Sequence, residues 1–446
     1  MTIEKHVPSQ KTTLSQERYT ADTVLVMQQS LELQGSAQLV GAKNAVLVIM
    51  ASLILTEGTS VLKNVPFSDD VMQMMRLLQD LGADVHYDFD IHELTVDTSL
   101  LCNHKVKPDI MKKMRASVLV MGPLLARFLR ADIALPGGCI IGSRPINLHL
   151  KNFEKMGVSL QVDGEFLTAE AKKLHAQYLV LDYPSVGATE NLLMAAVTTP
   201  GTTRIVNAAL EPEVMDLISV LKKMGADITI EPPAILEIKG VSVLRSVEHR
   251  IIHDRLEAGS LLLSAAVVGG SIDIPQASWK NLDVFLLKLE EMGHYIERGP
   301  EGVGIRLVAT DSPQAVSFVT GPYPGFPTDL QAPMMVAQCL ASGKSVIHEA
   351  VFENRLLHVR ELQKMGAHIV LDGDRATITG VDELYGANVI ATDIRAACAL
   401  VIAGLAAKGT TVMSGVQHWR RGYESLEQKL ASLGARISLE AAHKVS

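Results

Sequence analysis

The apolar positions of the chain fall into two alternating phrases. The first is an amphipathic helix that stops at a glycine and turns into a strand. It reads LLQDLGADV (77–85), FEKMGVSL (153–160), LKKMGADI (221–228), LEEMGHYI (289–296), LQKMGAHI (362–369) and LASLGARI (430–437). A glycine just past the last apolar position ends a helix because it can turn left-handed without a Cβ clash. The six glycines, Gly82, Gly157, Gly225, Gly293, Gly366 and Gly434, recur at intervals of 68–75 residues. The second phrase is a short helix apolar almost all round, then a glycine turn, then an alternating strand. Ala45–Leu55 followed by EGTSVLKNV, and Ala396–Ala407 followed by KGTTVMSGV, are examples, and further copies begin near Arg115, Thr189, Glu257 and Asp329.

A helix that is apolar on every side belongs inside a domain. Strands that alternate, such as His92–Val96 (HELTV), have one wet face. The pattern therefore predicts an α/β fold with helices at the centre and sheets outside. Six units of about 70 residues, at three per domain, give two similar halves in an inside-out α/β barrel arrangement. A solenoid is the alternative that internal repeats usually raise, but the period is long for one and its spacing uneven.

Composition narrows the function more than the fold. The 446 residues are 48% hydrophobic, with 4% aromatic and a formal net charge of −8. An acidic chain is a poor match for nonspecific nucleic-acid binding, which runs on basic surfaces. A few arginines can still make a positive cleft for an anionic small molecule. The four cysteines, Cys102, Cys139, Cys339 and Cys398, include no CxxC pair, so neither a zinc site nor a redox dithiol is expected. Residues 1–20 are polar and lack an apolar signal core, and they are expected to form a flexible extension. The longest apolar runs, about a dozen residues, are too short to span a membrane, which takes roughly 18. A cytoplasmic protein with reduced thiols is expected.

The starts of the apolar helices hold the candidate chemistry. Lys43 and Asn44 open the first, Arg115 the second, and Ser185, Gly187 and Thr189 the third. Asp254, Arg255 and Glu257 open the fourth, Thr328 and Asp329 the fifth, Asp393 and Arg395 the sixth. Free N–H groups and the positive dipole end make such starts anion sites. Asn, Ser, Thr and Asp there can be simple caps. Lys43, Arg115 and Arg395 cannot, because a cation at a helix start is unfavourable unless an anion joins it. Arg144, after PGGCIIGS (136–143), and Arg421, in HWRRGYE (418–424), sit in loops and are open to either a surface or a binding role.

At this point the residues resemble a family. GAKNA (41–45), MRAS (114–117), LPGGCIIGSRP (135–145), SVGATEN (185–191), EPE (211–213), DRLEAG (254–259), FPTDLQA (326–332), VFENR (351–355), DIRAA (393–397) and RGYE (421–424) are similar, in order and spacing, to motifs of the UDP-N-acetylglucosamine 1-carboxyvinyltransferases, within the EPSP synthase superfamily. The resemblance covers about residues 30–440. It implies two globular halves of three βαβαββ-type repeats each, residues 43–252 in one and residues 21–42 and 253–446 in the other. It also implies transfer of the enolpyruvyl group of phosphoenolpyruvate to the 3-hydroxyl of UDP-N-acetylglucosamine with release of phosphate, the step that opens peptidoglycan synthesis, without metal or organic cofactor. By resemblance, Lys43, Arg144 and Arg421 clamp phosphoenolpyruvate, with Arg395 and Asn44 as further ligands. Cys139 is the general acid and can form a covalent adduct with phosphoenolpyruvate. Asp329 is the candidate base at the sugar hydroxyl. Asn44, Arg115, Ser185, Val186, Gly187, Asp329 and Val351 are sugar-nucleotide contacts, and Arg144, Pro145, Ile146, Asn147 and Leu148 form the uridine loop. His149, His358 and His418 lie near motifs and are expected to be satisfied histidines rather than catalysts.

Three substitutions and an extension depart from the family pattern. Asn147 stands where aspartate is usual, Arg420 where an acidic residue is usual, and Leu210 where arginine is common; the N-terminus is longer by about twenty residues. The first two leave open a related enolpyruvyl transferase with another nucleotide or a shikimate-type acceptor. A non-catalytic relative is the third reading; the intact Lys43, Cys139, Asp329, Arg395 and Arg421 count against it.

Overall fold

The computed structural model describes residues 23–106, 115–134, 146–164 and 166–442, without the side chains of 115–117. The extension 1–20 lies outside these. The first-phrase helices end at their glycines. Gly82 and Gly225 cap the helices Asp69–Leu81 and Pro212–Met224 at φ of +105° and +108°. Gly157, Gly293, Gly366 and Gly434 are left-handed as well.

The second-phrase helices are Lys43–Ser52, Met121–Phe128, Val186–Ala196, Arg255–Val268, Gln331–Cys339 and Ile394–Ala406. Two of them begin as tighter turns, Arg115–Val120 and Thr328–Leu330. Every residue from Arg395 to Leu405 is buried, as is all of Lys43–Ser52 except Asn44. Burial on all sides is what their uniform apolarity requires. They pack in two groups, one formed by Arg255–Val268, Gln331–Cys339 and Ile394–Ala406 and the other by the first three. In the second of these groups Met121–Phe128 and Val186–Ala196 meet tightly enough to exclude a side chain. A Cβ on Gly122 would lie 2.2 Å from the Asn191 carbonyl oxygen, and Asn191 closes the gap by accepting from Gly122 N at 2.7 Å and donating to Val118 O at 3.1 Å.

Sheets lie outside. Five have four strands and one has three, among the described residues. Each four-stranded sheet joins three antiparallel strands to one parallel edge strand. In the three-stranded sheet a lone parallel bridge, Lys105 to Asp132, occupies the edge position. The strand expected at His92–Val96 runs Glu93–Asp97 instead, because His92 turns left-handed, at φ +51°, to make the hairpin. The chain start joins the chain end: Thr23–Gln28 lies between Thr410–Ser414 and Arg436–Ala441.

The buried apolar side chains form two cores. One runs from Ala42 to Ile251, and the other takes Leu25–Leu39 and Leu256–Ala435. The two passages between them lie side by side, with Ala42 N donating to Ile252 O at 2.7 Å and Asp254 N to Val40 O at 3.0 Å. That pairing brings the starts of Lys43–Ser52 and Arg255–Val268 together.

Candidate active site

Asp254 serves both of these helix starts. Its Oδ1 accepts from Leu256 N at 2.8 Å and Glu257 N at 3.1 Å, and its Oδ2 from Lys43 N at 3.4 Å. Asp393 caps Ile394–Ala406 through Arg395 N and Ala396 N, and Ser185 caps Val186–Ala196 through Ala188 N. These three are the ordinary caps that their residue types suggest. Lys43 is not: the residue at the cap position of its helix is Ala42, which has no polar side chain to cap with.

The lysine gains its anion from another helix. Lys43 Nζ lies 3.4 Å from Asp70 Oδ2, while Arg421 Nε donates to Asp70 Oδ1 at 2.9 Å. A second knot forms around Asp329. Arg355 Nη2 and Arg395 Nε both donate to its Oδ1, at 2.5 and 2.9 Å. Arg395 Nη1 also reaches the Tyr423 hydroxyl at 3.2 Å, which shares a hydrogen bond of 2.9 Å with Ser260. The two knots feel each other: burial pushes the Lys43 ammonium below its usual value, Asp70 opposes this, and Arg395 and Arg421 add to it. For Asp329 burial favours the neutral acid, but Arg395 and Arg355 outweigh it and hold the carboxyl well below the usual range. The structure thus brings Lys43, Asp329, Arg395 and Arg421 into one electrostatic unit.

The other candidates divide. Asn44 is exposed beside Lys43, at the same helix start. Ile146, Leu148, Ser185, Val186, Gly187 and Val351 are half-buried, and Asn147 is the exposed first residue of the helix Asn147–Lys155. His149 ties that helix to Val186–Ala196: its Nδ1 accepts from Asn191 Nδ2 at 3.1 Å, and its ring lies beside Gly187, where an added Cβ would meet Cε1 at 3.4 Å. This places the helix that begins at Asn147 next to the SVG segment. Arg115 opens the turn Arg115–Val120, but its side chain is outside the described residues, as are Cys139, Arg144 and Pro145.

Four residues with no assigned role from sequence prove central. Arg355 was only a letter of the VFENR motif. It is buried, holds Asp329, lies over the Phe352 ring, and keeps Nε and Nη1 without a hydrogen-bond partner. Asp70 belongs to no motif and stands in the first turn of Asp69–Leu81. Tyr423 looked like part of RGYE. Glu349, in no motif, fixes the loop before Arg355 by accepting from Val351 N, Phe352 N, Thr320 Oγ1 and Thr328 Oγ1 at 2.8–3.1 Å. Among the described residues no cluster of His, Cys, Asp and Glu is placed to hold a metal ion, and no helix is long and apolar enough to cross a membrane.

The neutral histidines have a measurable consequence. Burial pushes His149 down to about 4, and lowers His358 and His418 too. His149 is neutral when folded but takes a proton below about 6.5 when unfolded. Its contribution is therefore fully present above pH 6.5 and is lost as pH falls toward 4. The stability gap between the unaltered protein and His149→Gln should shrink as pH falls from 6.5 to 4, read from urea midpoints. A gap that stays constant or widens would sink this assignment.

Comparison with known proteins bears on this site. The family model described as EPSP synthase (3-phosphoshikimate 1-carboxyvinyltransferase) matches residues 27–430. The UDP-N-acetylglucosamine 1-carboxyvinyltransferase of Dichelobacter nodosus is 46% identical over 405 residues, covering 91% of this chain and 96% of that protein. UDP-N-acetylglucosamine 1-carboxyvinyltransferase 1 of Caldanaerobacter subterraneus subsp. tengcongensis is 45% identical, covering 93% and 99%. Among solved structures, the enolpyruvyl transferase NikO from Streptomyces tendae superposes with a TM-score of 0.86 at 24% identity over 94% of this chain and 99% of that one. EPSP synthase from Acinetobacter baumannii gives 0.73 at 16% identity over 94% and 99%. At these identities the solved structures speak for the fold alone.

Proposed function

We infer the activity from one premise: the chain belongs to the UDP-N-acetylglucosamine 1-carboxyvinyltransferases, within the EPSP synthase family. It is a transferase that moves the enolpyruvyl group of phosphoenolpyruvate to UDP-N-acetylglucosamine and releases phosphate. The observation that carries this reading to the residues is the convergence of Lys43, Arg395 and Arg421 around two carboxylates, Asp70 and Asp329. A substrate bearing both phosphate and carboxylate needs several cations, and guanidinium forks bind such groups best. The unpartnered N–H groups of Arg355 would find acceptors in the same anion.

The chemistry assigns the remaining roles. The substrate alkene must gain a proton at its CH2 carbon, and the sugar 3-hydroxyl must lose one as its oxygen bonds to the neighbouring carbon. Phosphate then leaves with one proton from the new methyl group, which restores the alkene. We assign the first proton to Cys139 and the hydroxyl proton to Asp329, each as a positioned acid or base. Asn44, Arg115, Arg144, Pro145, Ile146, Asn147, Leu148, Ser185, Val186, Gly187 and Val351 are assigned to the substrates as their motifs imply. The reaction would serve peptidoglycan synthesis, and through it cell shape and division, in the cytoplasm.

Phosphate release from phosphoenolpyruvate by the purified protein should require UDP-N-acetylglucosamine. Release with a different acceptor alone would overturn the acceptor assignment. Fosfomycin, an epoxide that mimics phosphoenolpyruvate, should add once to Cys139 in intact-mass spectra, and Cys139→Ser should remove the adduct. A saturating treatment, with sugar nucleotide present, that leaves the mass unchanged would count against Cys139.

A further inference from the structure

We propose that Asp69 and Arg420 form a latch between the two cores that positions the phosphoenolpyruvate clamp beside them; this rests on the reading of function above. The helix Asp69–Leu81 belongs to the first core and Val416–Gly422 to the second. Their ends meet in register. Arg420 Nη2 lies 3.2 Å from Asp69 Oδ1, and Arg421 Nε lies 2.9 Å from Asp70 Oδ1. Glu424 extends the seam by accepting from Phe67 N at 2.7 Å and approaching His92 Nδ1 at 3.6 Å. Segments 67–70 and 420–424 are therefore tied at three successive points although about 350 residues separate them.

The two ion pairs have different duties. Arg421 and Lys43 share Asp70, so a phosphate that draws these cations loosens the inner pair. Asp69 and Arg420 belong to no assigned substrate contact, so the outer pair persists and keeps the Arg421-bearing segment in place. The segment also governs Arg395. A Cβ on Gly422 would lie 2.3 Å from Ile394 Cγ2, and Tyr423 binds Arg395 directly. The charge signs are favourable on both sides, with acids at a helix start and arginines at a helix end. Arg420 is also one of the chain's departures from the pattern of the family. An acidic residue there would face Asp69 and repel it, so the arginine is matched to the acid opposite.

A charge-swap cycle tests the latch. Arg420→Asp and Asp69→Arg should each raise KM for phosphoenolpyruvate about fivefold, since each replaces a partly exposed attraction with a repulsion. KM for UDP-N-acetylglucosamine and the melting temperature should change little. The double variant Asp69→Arg/Arg420→Asp restores opposite charges and should recover most of the loss. Amide exchange over 64–72 and 416–424 in the ligand-free protein should rise in each single variant and return in the double. Singles that match the unaltered protein in both readouts, or a double no better than the worse single, would overturn the latch. Absence of phosphate release by the unaltered protein would overturn the functional reading instead, and the exchange cycle would still judge the latch.

Discussion

Asp329→Asn is expected to lower kcat by about a thousandfold, the range lost when a positioned acid or base is removed. The substitution keeps the shape of the side chain and removes both its charge and its ability to take a proton. In the folded protein Arg355 and Arg395 grip the same oxygen, and they hold the carboxyl well below its usual range. Such a carboxylate is ionised throughout the neutral range but is a weak base while both arginines hold it. An arriving substrate carboxylate that draws Arg355 or Arg395 toward itself raises the basicity of Asp329 at the moment it is needed. The asparagine variant leaves the arginines free for that substrate, so KM for phosphoenolpyruvate should not rise. Steady-state kinetics check this: a kcat within threefold of the unaltered protein would remove Asp329 from the proton transfer.

Arg255→Met is expected to cost about 3–5 kcal/mol of stability, because it strands a buried partner charge. Arg255 opens a helix of the second core, and Glu213 stands in the first turn of Pro212–Met224 in the first. Their contact is bidentate, at 2.9 and 3.1 Å, with side chains only 10% and 6% exposed. The EPE motif thereby acquires a physical role, since its first glutamate, Glu211, also accepts from Tyr323 N at 3.4 Å across the same junction. Burial pushes Glu211 up, so this region already carries the cost of desolvated charge. The double variant Arg255→Met/Glu213→Leu should recover most of the loss, because replacing both partners of a buried pair is close to neutral. Urea unfolding monitors it; a single-variant cost below about 1 kcal/mol would show that water reaches the pair.

The difference between these two knots is instructive. Arg255 and Glu213 satisfy each other, so the pair is a joint. Arg355 keeps two buried guanidinium nitrogens, Nε and Nη1, without acceptors, and Asp70 is divided between Lys43 and Arg421. Unequal pairing of this kind is what a site for a multiply charged ligand needs, because a fully paired cation has nothing to offer an incoming anion.

The sequence by itself determined the repeat, the left-handed glycines and the placing of apolar helices inside with strands outside. These are local properties: the period of apolar residues decides which faces must leave water, and a glycine past the last turn decides where a helix stops. Lys43 and Arg395 were marked by their positions, because cations at helix starts conflict with the local dipole, while Asp329 and Arg421 were marked only by the family motifs FPTDLQA and RGYE. Only the tertiary structure decided what those charges face. Asp70 carries no motif in the sequence, and Arg420 reads only as a departure from a pattern. Nothing local tells that helix 69–81 and helix 416–422 meet end to end. Arg355 and Glu349 were silent for the same reason, since burial and partners belong to contacts between distant segments. Chain pattern sets which residues must be buried, while the pairing of buried charges depends on distances that exist only once the two cores are in contact.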